Sequence, residues 1–87
     1  MASYSLLLTR SAAKELDGVP TKDRHRLVAR IAALAEDPRP MGAEKLSGAH
    51  KYRVRQGDFR ILYEIEDPAL VVTVVRIGNR RDVYRFY

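Results

Sequence analysis

Residues 51–67 read KYRVRQGDFRILYEIED, with apolar and polar side chains alternating on either side of Gly57-Asp58. Alternation with a period of two marks a strand with one buried face. A Gly-Asp pair between two such runs marks a tight hairpin turn. The stretch therefore predicts paired strands over Lys51–Gln56 and Phe59–Ile65. In the first, Tyr52 and Val54 share one face while Arg53 and Arg55 share the other. In the second, Phe59, Ile61, Tyr63 and Ile65 form the apolar set, which leaves Arg60, Leu62 and Glu64 on the opposite face. Folding the hairpin brings Arg60 close to Arg53 and Arg55. Like charges facing one another across strands are destabilising. Three arginines in so small an area make physical sense when a polyanion sits between them.

The rest of the chain supplies the frame for that hairpin. YSLLLT (4–9) reads as a first strand, apolar enough to expect burial on both faces. Thr9 is placed to cap a short helix over RSAAKELD, with Ala12, Ala13 and Leu16 on one side and Gly18 ending it. Pro20 and Thr21 open a longer helix whose apolar stripe is Leu27, Val28, Ile31, Leu34 and Ala35; Asp37-Pro38 and Pro40 stop it. MGAEKLSGAH (41–50) reads as a loop. LVVTVVRIG (70–78) is β-branched and fits a central strand. The order is β-α-α-β-β-β: an α+β domain spanning 1–87, with a small, mostly antiparallel sheet, two helices packed on one face and a short basic C-terminal tail.

Composition bounds the chemistry. The chain has 87 residues, no cysteine, a net charge of +5 and a pI near 9.9. Disulfide scaffolds and thiolate metal sites are excluded. His25 and His50 lack ligand spacing, so neither a metal nor another cofactor is expected. The first ten residues do not read as a signal peptide and no run is long enough to span a bilayer, so the expected setting is cytoplasmic with no membrane partner. Twelve of the 16 basic residues are arginine, whose planar fork of donors suits phosphate.

The segment KLSGAHKYRVRQGDFRILYEIED (45–67), followed by VVTVVRIGNRRDVYR (71–85), resembles the RelE family of bacterial and archaeal toxins within the RelE/ParE superfamily. The hairpin YRVRxGDFRILYEI is the superfamily's signal, and the closing IGNRRDVYR favours the RelE branch. The resemblance covers nearly the whole chain. It implies the toxin of a type II toxin–antitoxin system: an endoribonuclease that cuts messenger RNA in the A site of the 70S ribosome and inhibits translation. It also implies a cognate RelB-type antitoxin, through which the toxin–antitoxin complex binds operator DNA. Carried over position by position, the catalytic set is Arg53, Arg55, Arg60, Arg80 and Tyr84. The chain departs from the family in having Arg53 and Arg55 where some members have lysine, and Asn79 where many have histidine.

Metal-independent RNA cleavage requires the ribose 2′-hydroxyl to attack the adjacent phosphorus. A proton must leave that oxygen, charge on the phosphorane must be stabilised, and the leaving oxygen must be protonated. Arg60 is the expected principal phosphate clamp, assisted by Arg53 and Arg55. Tyr84, between Arg80, Arg81 and Arg85 in sequence, is the candidate base, since neighbouring positive charge favours the phenolate. Stacking of its ring on a nucleobase is the alternative role. Arg80 is assigned to the leaving group. Arg53, Arg55, Arg76, Arg81 and Arg85 are the expected RNA contacts; the sheet face that Arg76 takes depends on a register the sequence leaves open.

Plainer readings stand beside these. Arg53 and Arg55 form a solvated strand face, Arg60 pairs with Glu64 or Asp58, Tyr84 pins the tail, and His50 is a loop residue. A ParE-like, non-catalytic inhibitor of DNA gyrase shares the fold and the hairpin and is the alternative function. A toxin fold acting only through its antitoxin is a third.

Overall fold

The computed structural model describes residues 3–46 and 50–79. The expectations placed on Arg80, Arg81, Tyr84 and Arg85 therefore lie outside the described residues. The elements run β1 (Ser5–Leu8), α1 (Arg10–Asp17), α2 (Thr21–Ala33), β2 (Glu44–Lys45), β3 (Lys51–Gln56), β4 (Phe59–Glu66) and β5 (Val71–Asn79). They form one five-stranded sheet in the order β1-β5-β4-β3-β2, with β1 parallel to β5 and the other pairings antiparallel.

The hairpin forms as its sequence requires. Gln56 pairs with Phe59, so the loop is the two residues Gly57-Asp58. Gly57 takes φ +60, the left-handed geometry that a two-residue turn demands at its first position. The apolar set of β4 enters the core: Ile61, Tyr63 and Ile65 are fully buried with Val54 of β3, Val72, Val74 and Ile77 of β5, and Ala12, Leu27, Ile31 and Leu34 from the helical layer. Both helices thus cover one sheet face. The Thr9 side chain accepts a hydrogen bond from the Ala12 N–H, and α1 ends at Gly18.

Three expectations are corrected. The segment expected to be a loop after α2 contributes a strand: Glu44 and Lys45 pair with Arg53 and Tyr52, which makes the sheet five-stranded. The chain reaches that position through Gly42 at φ +94, and the Leu46 N–H donates to the Lys51 carbonyl at 2.8 Å. Strand β1 is not buried on both faces. It lies at the sheet edge with Leu6 and Leu8 partly buried and Leu7 53% exposed, because among the described residues no element covers the face that Leu7 occupies. The stripe of α2 is narrower than expected. Leu27, Ile31 and Leu34 pack inward, whereas Val28, one residue and so about 100° away around the helix, is 48% exposed.

At the end of the sheet away from the hairpin turn, a polar network ties the layers together. Tyr63 and Tyr52 stack with ring centroids 5.9 Å apart. The buried Tyr63 hydroxyl donates to the Pro38 carbonyl at 2.7 Å, and burial pushes its phenol up to about 12, so it remains a donor. Arg39 lies over the Tyr52 ring, donates to the Tyr52 hydroxyl and grips Asp67 through both outer nitrogens at 3.1 and 2.8 Å. The Tyr4 hydroxyl donates to the same carboxylate at 2.7 Å. These donors, Arg39 first and Tyr4 second, hold the Asp67 carboxyl down at about 2.

Two predictions follow from this network. Tyr63→Phe leaves the Pro38 carbonyl without its donor and lowers stability by about 1–2 kcal/mol in chemical denaturation. The Asp67 carboxylate is favoured by folding, so its contribution is complete above the unfolded value near 3.8 and is lost as pH falls through about 2. Melting temperature against pH falls across that window in the wild type, and Asp67→Asn removes that part of the slope.

Candidate functional site

The face opposite the helices carries the arginines, and the register shows how they come together. Two rows of residues cross it. In one, Glu44 of β2 lies opposite Arg53, Arg53 opposite Leu62, and Leu62 opposite Arg76 of β5. In the next, Arg55 lies opposite Arg60 and Arg60 opposite Gly78. Arg53, Arg55 and Arg60 therefore share one face of adjacent strands. Gly78 places no side chain beside Arg60.

These cations have different surroundings. Arg55 is exposed, Arg53 is half-buried, and Arg60 is 6% exposed, the sole charged residue in the buried class among the described residues. The Arg60 Nε is buried without a hydrogen-bond partner, and Arg60 forms no ion pair with any described residue. The pairing with Glu64 or Asp58, weighed as its plainer reading, is thus not made. Leu62, fully buried on the same face, gives the cluster an apolar floor. Charges beside buried apolar surface interact more strongly than they do in water.

Glu44 supplies the counter-charge. Its Oε2 accepts from an outer nitrogen of Arg53 at 2.5 Å. The hydrogen bond and charge of Arg53 hold the Glu44 carboxyl below the usual range, with Arg55 and Arg60 adding to the effect. One carboxylate thus senses all three arginines. No signal in the sequence singled out Glu44, because a strand of two residues has no period to detect.

Arg76 is placed differently from its expected role. It falls on the arginine side of the sheet, past an irregularity in the β4–β5 register after Leu62, yet its guanidinium reaches Glu15 of α1. Arg76 Nε and an outer nitrogen donate to Glu15 at 2.9 to 3.2 Å, and the Ile77 N–H donates to the same carboxylate at 3.0 Å. β1 pairs with β5 only as far as Val74, so Glu15 takes over the bonding of the strand edge beyond it. This anchors the end of β5 that leads to Arg80. His50 lies at the other end of β3 from the turn, exposed, with φ +68 and its carbonyl accepting from the Ile65 N–H; it stands as a loop residue.

A face that gathers like charges, one of them buried and incompletely bonded, carries the charge that an anion would neutralise. Comparison with known proteins agrees with the resemblance. Residues 6–84 match the family model described as the ParE toxin of the type II toxin–antitoxin system, parDE. The chain is 30% identical over 81 residues to the mRNA interferase toxin RelE of Escherichia coli, covering 90% of this chain and 84% of that protein. It is 28% identical over 86 residues to Toxin RelG of Mycobacterium tuberculosis, covering 94% and 97%. The toxin–antitoxin complex RelBE2 of Mycobacterium tuberculosis contains a chain that superposes with a TM-score of 0.81 at 25% identity, over 92% of this chain and 94% of that one. The chain belongs to the RelE/ParE family of type II toxin–antitoxin toxins. These relatives carry RelE-type names, while the family model carries the ParE description.

Arg60 is held in place against its own electrostatic interest, which gives a test of the site independent of activity. Arg60→Met removes a buried, incompletely bonded cation and its repulsion with Arg55 while keeping most of the volume. The expected result is a gain on the order of 1 kcal/mol in unfolding free energy, largest at low salt, measured by denaturant titration.

Proposed function

We propose that this protein is a ribosome-dependent endoribonuclease acting on messenger RNA in the A site. The observation that carries the reading is the opposed pair Arg55–Arg60, with Arg60 buried and its Nε without a partner, beside Arg53 on the same face. In this reading Arg60 is the principal clamp on the scissile phosphate, and Arg53 and Arg55 share the charge that grows on the phosphorane. The 2′-oxygen bonds to phosphorus while the phosphorus–5′-oxygen bond breaks. Tyr84 takes the 2′-proton, or stacks on a nucleobase and leaves that proton to solvent, and Arg80 stabilises the departing 5′-oxygen, which takes up a proton from solvent. Arg81 and Arg85 contact RNA. Arg76 is assigned, beyond its expected RNA contact, to holding the end of β5.

The arginines stabilise charge but transfer protons poorly, because guanidinium stays protonated. The proposal therefore assigns part of the geometry to RNA already bent by the ribosome, with no metal or cofactor taking part. A RelB-type antitoxin is the proposed partner, on the ground that the solved neighbour is a toxin–antitoxin complex. An acidic antitoxin segment that orders on binding would neutralise the arginine face, and operator DNA would be bound through the antitoxin.

One observation favours a second reading. The matching family model carries the ParE description, which fits a gyrase-inhibiting toxin of the same fold. Induced expression separates the two. Messages cut within codons and arrested translation are expected of the nuclease, and a DNA-damage response of the gyrase inhibitor. Arg60→Ala is expected to lower A-site cleavage about a hundredfold or more in primer extension of transcripts. Purified wild-type protein is expected to leave free RNA essentially uncut, and robust turnover of naked RNA would defeat the ribosome-dependent reading.

A further inference from the structure

Glu44 is set into the arginine cluster from its outer side. It faces Arg53 across the β2–β3 pairing, and so lies on the face of Arg55 and Arg60. In the ion pair the Glu44 side chain is 56% exposed and that of Arg53 only 21%. The carboxylate is the solvent-side member and the guanidinium the inner one. It also comes from the shortest strand, two residues at the sheet's edge with one neighbouring strand, where little backbone pairing holds it. A carboxylate and a phosphate present similar oxygens to a guanidinium fork.

We propose that Glu44 is the cluster's built-in counter-ion: it occupies a place that a phosphate group of the substrate takes, and the incoming polyanion displaces it. The identity of that polyanion as RNA rests on the function proposed above; the displacement itself does not. With no ligand bound, Glu44 offsets the repulsion among Arg53, Arg55 and Arg60 and keeps Arg53 in position. Because Arg53 lowers the proton affinity of the carboxyl first, with Arg55 and Arg60 behind it, Glu44 stays ionised at neutral pH and competes as a full negative charge. It thereby weakens the hold on single, weakly bound anions, which must displace it with one contact. A nucleic-acid backbone brings several phosphates and displaces it more readily. Glu44 is thus a specificity-determining residue.

The test compares Glu44→Gln with Glu36→Gln, which makes the same charge change at an exposed position after α2. Two measurements are made on each full-length toxin and on wild type. One is the rise in melting temperature caused by inorganic phosphate over sodium chloride at matched ionic strength. The other is the affinity for a non-cleavable, 2′-deoxy-substituted RNA oligonucleotide. Glu44→Gln is expected to show a larger phosphate-specific rise than wild type and to bind the oligonucleotide roughly two- to fivefold more tightly. Glu36→Gln is expected to match wild type in both. An equal phosphate response in the two variants overturns the proposal. So does a Glu44→Gln protein whose anion affinity is unchanged but whose ribosomal cleavage is lost, since that places the carboxylate in proton transfer. If the phosphate difference holds while induced wild-type toxin leaves A-site messages uncut, the counter-ion role stands and the ribonuclease reading falls.

Discussion

The site depends on two guanidinium-bearing residues, Arg55 and Arg60, fixed directly opposite one another on neighbouring strands. Side chains so paired have Cβ atoms about 5 Å apart, and like charges at that spacing repel. The two side chains do not favour the pairing. The two-residue turn at Gly57-Asp58 sets it, and it is held from the other face of the sheet, where Val54, Ile61, Tyr63 and Ile65 are buried against the helices. Because side chains alternate along a strand, a slip of one residue would bury the arginines and expose that apolar set. Turn and core therefore set the register together, and the register places the cations. Site and core are two faces of one alternation.

That coupling explains what was legible in the sequence. The hairpin, the faces of Arg53, Arg55 and Arg60, the Thr9 cap and the Gly18 stop are each encoded within a few residues, and each forms as read. What escaped depends on partners distant in the chain. Glu44 belongs to a strand only because β3 is there to pair with it. The outer face of β1 is exposed because, among the described residues, no element covers Leu7, which the apolar run of β1 cannot reveal. Arg76 follows a run of β-branched residues with no in–out alternation, and the register is irregular just before it, so its face could not be counted along the chain. Its tie to Glu15 spans 61 residues.

Charge content alone does not separate structural arginines from functional ones here. Arg60 lies on β4 near the hairpin turn, and Arg39, in the segment after α2, packs against the opposite end of the sheet. Arg39 has an aromatic ring beneath it, a hydroxyl at its Nε and both oxygens of Asp67 at its outer nitrogens. Its bonding capacity is met within the fold, and it acts as a staple between the segment after α2 and the β4–β5 turn. Arg60 is more deeply buried, faces a like charge and, among the described residues, has an Nε with no acceptor. A buried donor left unmet is costly, on the order of 1–3 kcal/mol. The Arg30 Nε shares that feature, so what sets Arg60 apart is its burial opposite a like charge, which in the proposed reading is compensated by the anion it binds.

The same accounting of donors limits the chemistry. Of the three tasks in cleaving RNA through its 2′-hydroxyl, the arginine face is suited only to charge stabilisation, because a guanidinium neither accepts a proton nor gives one up readily. Cations on this face favour the phosphorane over the ground-state phosphate, because the phosphorane carries the extra negative charge, but they do not align the attacking atom. The remaining rate must come from geometry that brings the 2′-oxygen into line with the leaving oxygen, which is worth several kcal/mol when imposed from outside. A rigid cationic sheet with a tail following an anchored β5 suits a catalyst that borrows alignment from a second macromolecule. The Glu15 anchor at Arg76 and Ile77 matters to that reading because it holds the end of β5 that pairs with Arg60, the proposed phosphate clamp.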